Sequence, residues 1–140
     1  MNAEEWLLSA RGIDKEIRDL ERSYRRALER ATDTTTAPMG ERVKYSPKNT
    51  SEEKILEVSD YAYQIAQSLS QKRKLRNDIF NVIDKVPNSY QRRLLRLYYI
   101  EEMTWEEVAE EMEMSDKYVR EKLKEQALIR VEKIRERLAL

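Results

Sequence analysis

Residues 88–115 carry three helix-start signals, and their spacing limits the C-terminal part of this chain to a set of short, tightly turned helices. Asn88 follows Pro87 and stands three residues before Gln91, Thr104 stands three before Glu107, and Ser115 opens a further amphipathic stretch. A short polar side chain at such a position accepts from an orphan amide of the first turn, and a Glu or Gln three residues on can reciprocate. The first start predicts a short helix bearing Leu94, Leu95, Leu97, Tyr98 and Ile100. The second predicts a helix of about two turns with Trp105, Val108, Ala109 and Met112 on its apolar face. The third predicts a longer helix striped by Val119, Leu123, Ala127, Val131, Ile134 and Leu138. The break between the last two is short, and the small Ala109 sits where two crossing helices must approach closely. Together these features predict a helix-turn-helix over roughly residues 87 to 130.

In that motif the second paired helix enters the major groove of double-stranded DNA with its N-terminal end against base edges. Here it begins at Asp116. With Val119 and Leu123 facing inward, helical geometry turns Lys117, Arg120, Glu121 and Lys124 outward. Long donors so placed reach guanine edges or phosphates, and a glutamate accepts from cytosine. Taken alone, such a face is ordinary solvent decoration; the succession of cap, short helix, turn and cap gives it meaning. Trp105 and Trp6 read as core residues rather than ligand contacts. The pairs Glu106-Glu107 and Glu110-Glu111 read as a solvated face rather than a metal or acid-base site.

Upstream, small or apolar residues recur at Ala3, Trp6, Ala10, Ile13, Ile17, Leu20, Tyr24, Ala27 and Ala31 in alternating steps of three and four, a heptad seam. Asn2 and Glu5 form a capping pair, so one helix is expected from about residue 3 to 31, with close packing a possible reason for Gly12. A second seam runs through Ile55, Val58, Ala62, Ile65 and Leu69, then Leu75, Ile79, Val82 and Val86, after a start at Thr50 with Glu53. Charge interrupts it at Lys72 to Lys74. The expected arrangement is a coiled-coil-like antiparallel hairpin over 1–86, followed by the helix-turn-helix domain at 87–140. Two helices bury too little to be secure alone, so the hairpin needs the C-terminal unit, another copy of itself or a partner, and a homodimer is expected. Between the seams, residues 32–50 hold Thr34-Thr35-Thr36, Pro38, Gly40 and Pro47 without apolar periodicity and read as a long loop, with residues 33–49 expected to lack stable secondary structure. Its Arg42, Lys44, Tyr45 and Lys48 are more simply solvated than an arm reaching DNA.

Composition narrows function mainly by exclusion. The chain contains no histidine and no cysteine, which removes the commonest metal ligands, the Ser-His and Cys-His nucleophile pairs and the usual neutral-pH base. No enzyme activity, metal site or cofactor is expected. No apolar run approaches the length of a membrane span, and Glu4 and Glu5 stand where a signal peptide carries basic residues, so a cytoplasmic protein, in a bacterial host cell, is expected. Formal net charge is zero, but its distribution is uneven. Glu101 to Asp116 holds eight acidic residues and no basic one, whereas Lys117 to Arg137 holds eight basic against four acidic. One face attracts phosphate while its neighbour repels it.

The stretch Val86-Pro87, Leu94-Leu95-Arg96-Leu97-Tyr98-Tyr99, Thr104-Trp105-Glu106-Glu107-Val108-Ala109, Met112-Glu113-Met114-Ser115 and Val119-Arg120 resembles region 4 of bacterial sigma factors. The chain as a whole, with Ser46-Pro47-Lys48-Asn49-Thr50-Ser51 between its halves, resembles the small phage and prophage late-gene regulators of the RinA/ArpU type. The resemblance implies an all-α fold, sequence-specific DNA binding that regulates transcription, and DNA-facing positions at Asp116, Lys117, Arg120 and Glu121. Two residues depart from the pattern. Glu113 occupies a turn position usually given to glycine, where a positive φ would be strained or the turn altered. Asp116 stands where a basic residue is common. Nothing resembles sigma region 2, the part that melts promoters. Two other classes stay open: a small terminase-like packaging or assembly protein, and a module that contacts host RNA polymerase through its acidic helix.

Overall fold

The computed structural model describes residues 1–36 and 48–140, and every regular element among them is helical. Helix α1 spans Ala3–Leu8, α2 Ile13–Thr36 and α3 Lys48–Asp84. Helix α4, Ser89–Leu95, passes directly into a π-helical turn at Arg96–Ile100, and α5 spans Trp105–Met112. Helix α6 opens as Asp116–Tyr118, widens to π geometry over Val119–Leu123 and returns to α over Lys124–Leu138, with right-handed backbone at each junction.

The described residues divide into two compact units, one made of Met1–Asp14 and Lys74–Leu140, the other of Lys15–Arg73. The division within α3 falls at Lys72 to Lys74, where charge interrupts the apolar seam. In the second unit α2 and α3 run antiparallel. Lys72 pairs with Glu16 at 2.7 Å and Arg73 with Glu21 at 3.7 Å, while Ala27 and Arg30 line a groove with Val58 and Tyr61. Ile17, Ala27, Ala62, Ile65 and Leu69 are its buried apolar residues. The two ion pairs are half-exposed and contribute little beside that burial.

The first unit has a continuous core built from helices distant in sequence. Leu7, Ile79, Val82, Leu94, Tyr99, Val108, Val119 and Val131 all join it and are almost fully enclosed. Burying each such aliphatic side chain stabilises by about 1.5–3 kcal/mol.

The helix expected over residues 3–31 is thus two helices, and its seam serves two cores. Ala3, Trp6 and Ala10 pack with the C-terminal helices, whereas Ile17 and Ala27 belong to the other unit. The break comes after Leu8 and ends at Gly12, whose φ of +78° lies in the left-handed region. Close packing is not the reason for this glycine, because an added Cβ would meet only the Glu102 Oε1 atom, at an ordinary 3.6 Å. Both ends of the segment expected as a loop over 32–50 are helical: α2 continues to Thr36, and α3 starts at Lys48, so Thr50 lies inside the helix and not at its start. The rest of that segment, residues 37–47, lies outside the described residues, and with it Arg42, Lys44 and Tyr45, expected from the sequence to be solvated.

Candidate nucleic-acid interface

Each of the C-terminal helices starts where a short polar side chain can accept from its first turn. Asn88 Oδ1 accepts from the backbone amides of Tyr90 and Gln91 at 2.9 and 3.0 Å, Thr104 Oγ1 from Glu107 at 3.2 Å, and Ser115 Oγ from Tyr118 at 3.1 Å. The second box closes differently from the sequence expectation, since Glu107 accepts from the Thr104 hydroxyl at 3.1 Å.

The turn between α5 and α6 is set by Glu113, which adopts φ 56° and ψ 42°. Its amide donates to the Glu110 carbonyl at 3.1 Å, and the Met114 amide donates to that of Ala109 at 3.0 Å. This paired pattern satisfies two carbonyls that a helix end leaves open. A side chain held in left-handed backbone costs about 1–2 kcal/mol, and glycine would forfeit about 0.5–1 kcal/mol in extra chain entropy. Glu113→Gly is therefore expected to stabilise the protein by about 0.5–1 kcal/mol. Chemical denaturation of the two proteins checks this; a less stable glycine variant would mean that Glu113 makes a compensating contact.

The turn leaves the first part of α6 standing clear of the core. Val119 and Leu123 are buried, while Asp116, Lys117, Tyr118, Arg120, Glu121 and Lys122 are exposed. Among the described residues, Lys117, Glu121 and Lys122 take part in no ion pair. Arg120 does: its guanidinium bonds Glu106 on α5 and, through Nε at 3.1 Å, Asp116 one turn back. The Glu106 carboxyl is held below the usual carboxylate range, first by its own backbone amide in the opening turn of α5 and then by the Arg120 charge.

Lys124 is placed apart from the other candidates. It is half-buried, pairs with Glu4 of α1 at 2.9 Å, and its Nζ lies 5.4 Å from the Trp105 ring. Trp105 stacks on Tyr98 with ring centres 3.8 Å apart and planes 10° from parallel, and the Arg11 guanidinium lies 4.2 Å from the Tyr98 ring centre. Because Trp105 covers one face of Tyr98, Arg11 must cover the other. Arg11 Nη1 also donates to the carbonyls of Tyr98 and Met103 at 2.7 and 3.1 Å, tying off the π-helical turn. At the far end of α6, Arg135 lies 4.8 Å from the Trp6 ring centre and donates to the Met1 carbonyl at 3.3 Å. Beneath this layer Tyr99 is fully buried, and burial pushes its hydroxyl pKa upward.

The residues missed by sequence reasoning are therefore Glu106, which engages Arg120, and Glu4, Arg11 and Arg135, which dock the N-terminal segment on the helix-turn-helix. The eight-acid run offered a general signal for the first. None marked the others, whose partners lie 87 to 134 residues away.

Two short helices, a left-handed turn and the exposed N-terminal end of the longer α6 form a helix-turn-helix. Residues 88–131 match the family model of sigma-70, region 4. The matched segment covers α4, α5 and α6 as far as Val131, including every candidate DNA-facing residue. Neither the curated proteins nor the solved structures contain a match to the chain. No described helix is long and apolar enough to cross a membrane, and no cluster of three or more His, Cys, Asp or Glu among the described residues could hold a metal ion.

Proposed function

We propose that this chain is a sequence-specific DNA-binding regulator of transcription, acting on phage or prophage genes as the resemblance to RinA/ArpU-type regulators suggests, and that it catalyses no reaction. The observation that carries this reading is the region-4 helix-turn-helix whose α6 presents Lys117, Arg120 and Glu121 around the buried Val119. Lys117 supplies charge for phosphates, and Arg120 and Glu121 supply the donor and acceptor that base edges require. Asp116 sits in the first turn, where negative charge favours the helix itself. Lys124 steadies α1 against α6 in this reading.

Selection from a random DNA pool with the purified protein is the direct test. The expected result is enrichment of one motif, with affinity falling steeply as salt rises. Recovery of no motif would overturn the reading. One observation favours a second reading, contact with RNA polymerase: α5 exposes the four acids Glu106, Glu107, Glu110 and Glu111, of which Glu106 pairs with Arg120 of α6 and Glu111 with Arg93 of α4. Co-purification with polymerase in the absence of DNA, lost when these acids are replaced, would support it. The packaging reading requires ring-sized oligomers, whereas the regulator is proposed to be a homodimer; light scattering at tens of micromolar, about the range where a useful small-protein dimer persists, separates ring, dimer and monomer.

A further inference from the structure

We propose that Glu106, on the helix preceding the recognition helix, is a specificity-determining residue that acts by positioning Arg120; the inference rests on the DNA-binding reading above.

Arg120 has five N–H donors in a rigid planar fork. In this structure Nε is engaged by Asp116 and Nη2 by Glu106, so the plane of the fork is fixed from two helices at once. Nη1 makes no hydrogen bond among the described residues. A base-reading arginine held in this way is ordered before DNA arrives, and preorganisation favours the one geometry that fits.

The same two carboxylates carry negative charge at the edge of the surface offered to DNA. Glu106 is 69% exposed, so its charge is felt by an approaching phosphate backbone. Repulsion weakens every complex, and only a site that satisfies Arg120 repays it. Glu106 thus lowers affinity for arbitrary sequence and widens the gap between right and wrong sites. Its pair with Arg120 is a surface ion pair and contributes little to folding, which separates this role from a structural one.

The experiment measures affinity of the full chain for its selected site and for an unrelated duplex, using wild type, Glu106→Gln, Arg120→Ala and the double variant. Glu106→Gln is expected to bind unrelated DNA about two- to five-fold more tightly and to narrow the ratio of specific to unrelated affinity by about five-fold or more, with at most a slightly lowered melting temperature from the lost charge in the first turn of α5. In the Arg120→Ala background the ratio should no longer respond to Glu106→Gln, while the gain on unrelated DNA persists. The proposal is overturned if Glu106→Gln leaves the ratio at its wild-type value, or if the ratio still changes when Arg120 is absent. If Arg120→Ala itself leaves the ratio unchanged, the assignment of Arg120 as a base reader has failed as well, and that outcome is told apart by the single variant alone.

Discussion

Trp6→Ala is expected to lower the unfolding free energy of the unit containing the helix-turn-helix by about 3–5 kcal/mol, although Trp6 lies far outside the motif in sequence. Its ring is 7% exposed, belongs to the same core as Val108, Val119 and Val131, and is covered by the Arg135 guanidinium. Removing it leaves a cavity beneath α1 and strips Arg135 of its aromatic partner. Arg11→Ala should cost about 1.5–3 kcal/mol by a different route, leaving the carbonyls of Tyr98 and Met103 without their charged donor. Hydrogen exchange resolved over residues 88–131 is the appropriate measurement, since it reports on the motif itself. Unchanged protection there in Trp6→Ala would show that α1 is dispensable to it.

The second large effect concerns recognition. If Arg120 reads a base as proposed, Arg120→Ala should cost about 1–3 kcal/mol on the selected site and little on unrelated DNA, because it removes a donor fork from base edges. Lys117→Ala should weaken both complexes alike and lower the salt slope by about one, the signature of a lost phosphate contact. Val119→Ala is the contrasting control; the side chain is fully buried, so thermal stability should fall by about 2–3 kcal/mol while the folded fraction binds normally. Fluorescence anisotropy across a salt series, with melting curves for each variant, separates the three. Wild-type affinity for the selected site in a folded Lys117→Ala, Arg120→Ala double variant would remove α6 from the interface.

The helix-turn-helix was legible in sequence because its determinants are local. Caps at Asn88, Thr104 and Ser115 and the spacing of Val119 and Leu123 act within one or two turns; each cap side chain accepts from its first turn, although Gln91 and Glu107 do not return the bond to the cap backbone. Glu113 is the instructive case: the resemblance to sigma region 4 marked the position as one usually held by glycine, and the backbone adopts the positive φ despite the side chain. Tertiary pairing was less legible. A heptad seam from Ala3 to Ala31 specifies that one face is apolar but not what covers it, and Gly12 divides that face between two cores. The outward direction of Lys124 followed from helical geometry, but its partner Glu4 is a matter of topology. Likewise the sequence shows Glu106 as one acid among many, and only the crossing of α5 with α6 brings it onto Arg120.

The docking of α1 on α6 fixes an order of events during synthesis. Residues 1–11 leave the ribosome well before Lys124 and Arg135 exist, and at roughly 5–20 residues per second the delay is on the order of ten seconds. Throughout that interval Trp6 and Leu7 have no C-terminal surface to bury against, while the α2–α3 hairpin between them already has its own apolar seam. The contact between Arg135 and the Met1 carbonyl closes a loop of 134 residues, among the slowest kinds of contact a chain can form. Completion of the unit that holds the helix-turn-helix is consequently a late step, and a nascent chain that already displays Arg120 has yet to acquire the platform that holds its helix in place.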